Sequence, residues 1–181
     1  MADCFGNKLD QLLTILDANK SEKTKWANDI TLDRKRGTLR HDWEDCFARL
    51  GQNPIARQVQ DEVAHDDYWH IATRDLMQYG RMTERDAALF FDTAVQSGGV
   101  DATKAAAITA ELEALGHGED DLARLGAIAR GVTAGVKPAY AADVASRRNS
   151  IASGYGTVHG AVYSLTGWAL DVLPIGTDDL L

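Results

Sequence analysis

The segment that most constrains this chain is Ala87-Ala88-Leu89-Phe90-Phe91, five apolar side chains in a row with a carboxylate, Asp92, directly behind them. Thr83 followed by Asp86 has the character of a helix N-terminal signal, with Asp where a standard capping box has Glu or Gln, and Gly98-Gly99 supplies the stop. A helix bounded in this way is expected at the centre of the fold, substantially buried. Asp92 then becomes a costly residue, because a carboxylate inside an apolar helix needs a partner, and an arginine fork offers geometrically matched donors.

Other helices arrange themselves around that one. Leu9, Leu12, Leu13 and Leu16 recur at helical spacing and predict a helix over about 7–19 with one buried face. Residues 20–37, rich in Lys, Asp and Arg, read as a connector, either an ordered loop or a short helix, attached through Trp26, Ile30 and Leu32. Leu39, Trp43, Cys46, Phe47 and Leu50 predict a second helix ending near Gly51; Asn53 and Pro54 then fit the N-cap and first turn of the next. That stretch, to about Gln78, carries a break around His65-Asp66-Asp67. Asp101 is placed to cap an alanine-rich helix running to about Leu115, and His117-Gly118 punctuates again. Leu122, Leu125 and Ile128 indicate a further helix, and Val144, Arg148 and Ile151 lie on a later one. From Gly154 the glycines suggest a compact loop or short hairpin, a C-terminal cap over 154–181. The expectation is a predominantly helical, all-α fold forming a single domain over 1–181.

Charge narrows the partners. With 19 basic and 27 acidic side chains the net charge is -8, partly from Glu119-Asp120-Asp121 and Asp178-Asp179, a sign that disfavours generic binding to nucleic acid or an anionic membrane. No apolar run reaches the roughly 20 residues that span a bilayer, and no signal peptide is visible, so membrane insertion is not expected and the chain reads as soluble. Cys4 and Cys46 supply no disulfide framework or metal set by themselves; a buried thiol in an amphipathic helix and a structural disulfide are both open for Cys46.

Asn53-Pro54-Ile55-Ala56-Arg57-Gln58-Val59-Gln60, then Phe91-Asp92-Thr93-Ala94-Val95-Gln96-Ser97-Gly98-Gly99, then Arg147-Arg148, occur in an order and at separations that resemble the helical lobe of chitosanase-like and phage-type cell-wall hydrolases of the lysozyme superfamily. The similarity covers roughly residues 9–153, most specifically 39–60, 87–99 and 143–151. It implies a helical lobe forming one wall of a cleft, with Asp92 and Arg147 or Arg148 in a buried charge network that supports it. The catalytic glutamate and nearby aspartate of such enzymes precede the helix matched by Leu9–Leu16, where only Met1–Lys8 stand here, so the usual catalytic segment is expected to be missing or moved.

Glycoside hydrolysis by paired carboxylates must therefore be rebuilt from local acids, of which Glu62 with Asp66 is the preferred pair, next to Tyr68 and Trp69 as a sugar platform. Tyr155 and His159 are further glycan contacts, while Trp43 and Trp168 read as core. Neither a cofactor motif nor a metal-ligand spacing is present: His65 and His70 lack a recognised interval. The function expected is hydrolysis of peptidoglycan or a chitosan-like polymer without a cofactor. The alternative is a noncatalytic glycan-binding or interaction domain that takes its missing lobe from a protein partner. The resemblance also implies delivery to the periplasm or cell wall by a phage, by lysis or by a secretion apparatus.

Overall fold

A computed structural model describes residues 1–116, 120–168 and 170–176. The punctuation at His117-Gly118 and the acids Glu119, Asp178 and Asp179 lie outside the described residues. The fold is predominantly helical, with two short two-stranded sheets among the described residues, so the all-α class holds. Where the sequence suggested one domain, contacts gather the chain into two compact units, Met1–Glu62 and Val63–Leu181, each with its own apolar cluster. Among the described residues no helix is long and apolar enough to cross a membrane.

The first unit begins earlier than its leucine spacing indicated. Helix α1 (Ala2–Phe5) and a 3₁₀ turn (Gly6–Lys8) precede α2 (Leu9–Asp17). Cys4 and Phe5 are core residues, whereas on α2 only Leu12 is buried and Leu13 and Leu16 are 44% and 53% exposed. Part of the core that the leucine stripe was expected to fill is thus taken by Phe5, set edge-on to Phe47 at 5.4 Å between ring centroids. Most of the connector is α3 (Lys20–Ile30), which the periodicity did not reveal because its start is fixed by capping rather than by an apolar stripe. Asn19 and Glu22 exchange side-chain and backbone hydrogen bonds across its first turn. Trp26 drops onto Trp43 edge-on at 5.1 Å, and strands β1 (Thr31–Asp33) and β2 (Thr38–Leu39) close a small antiparallel pair.

Helix α4 (His41–Gln52) runs through Gly51, the expected terminator, and its C-cap Asn53 is extended. Asn53 Oδ1 then accepts from the backbone N–H groups of Ile55 and Ala56, starting α5 (Pro54–Ala64), none of whose residues is buried. Cys4 and Cys46 are both buried and both free thiols.

In the second unit the break expected at His65-Asp66-Asp67 is a π-helical turn, His65–Trp69, which keeps the chain helical into α6 (His70–Tyr79). Helix α7 (Glu84–Ser97) is the central one: Leu89, Phe90, Thr93 and Ala94 are buried, and each fully buried Leu or Phe contributes about 1.5–3 kcal/mol. Asp86 closes the capping box after all, since Thr83 accepts from the Asp86 N–H and Asp86 from the Thr83 N–H, both residues buried. Helices α8 (Ala102–Leu115) and α9 (Asp121–Val132) approach so closely that a Cβ at Gly131 would stand 2.6 Å from Ile108 Cα. Helix α10 (Pro138–Ser153) ends at Gly154, left-handed at φ 79°, with the Arg85 guanidinium where a side chain would go. The C-terminal cap opens with a hairpin, β3 (Tyr155–Val158) and β4 (Ala161–Ser164), followed by a 3₁₀ turn (Leu165–Trp168). Contrary to its reading as core, Trp168 is exposed at the end of that turn.

Asp101 both caps α8 and pairs with the buried Lys104, whose Nζ lies 2.6 Å away; the Lys104 side chain, then its backbone N–H, hold the Asp101 carboxyl below its usual range. With the folded value depressed, the stabilisation is present above the unfolded value of 3.8 and is lost as pH falls through the folded one. Urea titrations should therefore show a larger loss of stability on going from neutral pH to about pH 3 for the wild type than for Asp101→Asn. An equal loss would mean that the pair carries no linkage.

Candidate functional site

An open groove of about 730 Å³ lies in the second unit, between the start of α9, one face of α10 and strand β3. Its α10 wall is a stripe of small polar residues, Ser146, Asn149, Ser150 and Ser153, which the three- and four-residue spacing puts on one side of the helix. Asp120 stands at the α9 end, and Tyr155 and Thr157 line the strand side. Strand and helix come this close because residue 156 is glycine: a Cβ there would meet Ser150 Oγ at 1.9 Å.

Three of the groove's hydroxyls are committed to the fold as donors. Ser146 Oγ donates to Thr157 O, Ser150 Oγ to Ser146 O, and Ser153 Oγ stands 2.6 Å from Tyr155 O and 2.8 Å from Asn149 O. Two of these bonds, from Ser146 and Ser153, seal the outer edge of β3 against α10. Asp120 spends one oxygen on the Ala123 N–H as the α9 N-cap. The Asn149 amide, the second Asp120 oxygen and the hydroxyls of Tyr155 and Thr157 make no hydrogen bond to another described residue. The groove thus presents an amide, a carboxylate oxygen and two hydroxyls to solvent beside Tyr155, which is 63% exposed.

What fastens α10 in place is the charge network at Asp92. Arg147 Nε donates to Asp92 Oδ1 at 2.5 Å, and the same guanidinium donates to Gln96 Oε1. Arg148 Nε reaches Asp92 Oδ2 at 3.4 Å, and its Nη1 donates to Val132 O at the end of α9. Arg148 is fully buried; burial pushes its guanidinium down from the ordinary arginine value and Asp92 opposes that shift. Adjacent residues on one helix thus grip one carboxylate on α7, joining α7, α9 and α10.

The remaining sequence candidates are dispersed. Glu62 is exposed on α5 and accepts from Gln58 Nε2; Asp66, with a side chain 77% exposed, pairs with His65; neither lines the groove. Tyr68 and Trp69 are partly buried against the core of the second unit, with the Trp69 ring 6.0 Å from that of Phe91. His159 and Gly160, with φ of 52° and 80°, form the two-residue hairpin turn between β3 and β4, a type I′ geometry, and His159 Nε2 lies 3.3 Å from Asp143 on α10. Of the named glycan contacts, Tyr155 alone lines the groove. Asn149, Ser146, Ser150 and Ser153 had no motif to announce them; their signal was a polar stripe on α10 running into Gly154-Tyr155-Gly156.

No protein-family model, curated protein or solved structure matches this chain.

Removing the carboxylate that holds two guanidiniums leaves a buried charge without its counter-ion. Asp92→Ala should destabilise the protein by about 3–5 kcal/mol, measured by urea unfolding, whereas Gln96→Ala, at an exposed position, should change it by less than about 0.5 kcal/mol.

Proposed function

We propose that the second unit binds an amino-sugar polymer of the peptidoglycan type in the groove of α9, α10 and β3, without cleaving it. The observation that carries this reading is the pairing of unspent polar groups at Asp120, Asn149 and Thr157 with the exposed face of Tyr155. Sugar rings offer hydroxyls and acetamido groups at the edge and an apolar face, and such a groove supplies hydrogen-bond partners for the first and an aromatic surface for the second. An open shape suits a chain of sugars that enters at one end and leaves at the other. The resemblance of residues 39–60, 87–99 and 143–151 to cell-wall hydrolases favours peptidoglycan over other polysaccharides.

Binding rather than hydrolysis is proposed because of the acids. Paired carboxylate chemistry sets two carboxyl groups about 5–9.5 Å apart across the scissile bond. Among the described residues that line the groove, Asp120 is the one carboxylate, and it already serves as a helix cap. Glu62 and Asp66 stand outside it.

Co-sedimentation with insoluble peptidoglycan, with chitosan as the comparison polymer, tests the reading. Tyr155→Ala and Asn149→Ala should each weaken binding about tenfold, equivalent to about 1.4 kcal/mol, while Glu62→Gln binds as the wild type and mass spectrometry finds no soluble fragments. Absence of binding to either polymer, or binding that neither groove variant weakens, would overturn the proposal. Fragments released by the wild type and lost in Glu62→Gln would restore the hydrolase.

A further inference from the structure

One face of α7 borders a second cavity of the second unit, about 300 Å³ in volume. Glu84, Ala87, Ala88 and Phe91 line it at three- and four-residue spacing, so they share one side of the helix. Trp69 reaches the cavity from the end of the π-helical turn, its ring 6.0 Å from that of Phe91. Leu170 and Ile175 complete the lining from the segment that follows the hairpin. That segment is tied by its backbone to the start of α7. The first-turn N–H groups of Glu84 and Arg85 donate to Leu173 O and Asp171 O, Ile175 N–H donates to Met82 O, and Arg85 Nε donates to Leu170 O at 3.3 Å. Anchored in this way, the segment does not settle onto the two alanines, whose short side chains leave the space between unfilled.

Among the described residues that line this cavity, Glu84 is the one with a charge, and only half of its carboxylate is spent. Asp171 N–H donates to Glu84 Oε2 at 2.8 Å, while Oε1 has no partner among the described residues. Close by stands a second carboxylate, Asp171, against one guanidinium, Arg85, a balance that repels an anion. A wholly apolar ligand would strip water from Glu84 Oε1 and return nothing, whereas an ammonium donates to it in a charge-assisted bond. The volume stands at the small end of ligand pockets, which run from about 300 to 1,000 Å³. We infer that the cavity binds a small hydrophobic amine, an arylalkylammonium of single-ring size, with its ring against Trp69, Phe91 and Leu170 and its ammonium on Glu84 Oε1. The aromatic side chains suit an aryl body, and the free carboxylate oxygen selects the charge of the head. This cavity shares no lining residue with the groove of α9, α10 and β3, and the inference does not rest on the saccharide reading.

Titration of the isotope-labelled full chain with phenethylamine, followed through backbone amides by NMR, tests the site. Phenethyl alcohol and phenylpropionate serve as probes with the same body and a neutral or anionic head. Saturable shifts should gather at Ala87, Ala88, Phe91 and Leu170, with the alcohol binding about tenfold more weakly than the amine and the carboxylate more weakly still. Ala88→Leu, at a partly exposed position, should keep the circular dichroism of the wild type and weaken phenethylamine binding about tenfold or more, because its side chain occupies the cavity. Glu84→Gln keeps an acceptor for the Asp171 N–H, and should bind the alcohol as the wild type does while losing the preference for the amine. Tyr155→Ala should leave the titration unchanged. No saturable shift at the cavity with the amine, equal affinity for amine and carboxylate, undiminished binding by Ala88→Leu, or a Glu84→Gln variant that still prefers the amine would each overturn the inference.

Discussion

The position of α10 depends on a single carboxylate. Asp92 sits on the central, substantially buried helix α7 and is approached by two consecutive arginines, one partly exposed and one with no exposed surface. A pair of this kind gives little net stability relative to a well-packed apolar contact, because both charges lose their hydration, but it is unforgiving about geometry. Arg148 must lie where Asp92 and the Val132 carbonyl can both be reached, and this fixes α10 in rotation and in height against α7 and α9. With α10 so fixed, the stripe Ser146, Asn149, Ser150 and Ser153 faces away from the core, and the chain leaving at Gly154 folds back along that stripe as β3. A groove wall and the clamp that positions it are thus two faces of one helix.

Its chemistry follows from which polar groups the fold consumes. Ser146 and Ser153 hold the strand, Ser150 donates to the backbone of its own helix, and Asp120 gives one oxygen to a helix start. The groups left over are neutral donors and acceptors with one carboxylate oxygen, a set suited to hydroxyls and amides and unsuited to holding a polyanion. The net charge of -8 points the same way. The proposed contacts with sugar hydroxyls and acetamido groups match the neutral donors and acceptors of the groove.

Local rules made the helix starts legible. Asn53, Thr83 and Asp101 cap through bonds confined to four residues, so their roles are visible wherever the spacing occurs. Helix ends and faces were harder. Gly51 stays helical, with its carbonyl accepting from Arg57 Nε in the next helix, and Leu13 and Leu16 are exposed while Phe5, from a segment without periodicity, occupies the core. Asp92, an acid on an apolar helix, calls for a compensating donor on physical grounds; that the donors are Arg147 and Arg148 was implied by the resemblance, and both reach it. The groove was not legible, because no single window contains it. Asp120, the α10 stripe and β3 come together only through the packing of α9 on α10, and serines on a helix surface look like an ordinary solvated face. Glu62 and Asp66 have the residue type that paired-carboxylate catalysis needs, yet residue type alone does not place a side chain in a cavity.

Saccharide binding in the groove is tested by titrating isotope-labelled protein with a soluble peptidoglycan disaccharide-peptide or an N-acetylated oligosaccharide and following backbone amides by NMR. A saccharide site there gives progressive, saturable shifts concentrated at Ser146, Asn149, Ser150, Tyr155 and Thr157, with Glu62 and Asp66 unmoved. Shifts centred on Glu62, Asp66 and Trp69 with a silent groove, or no saturable shift at all, would contradict it.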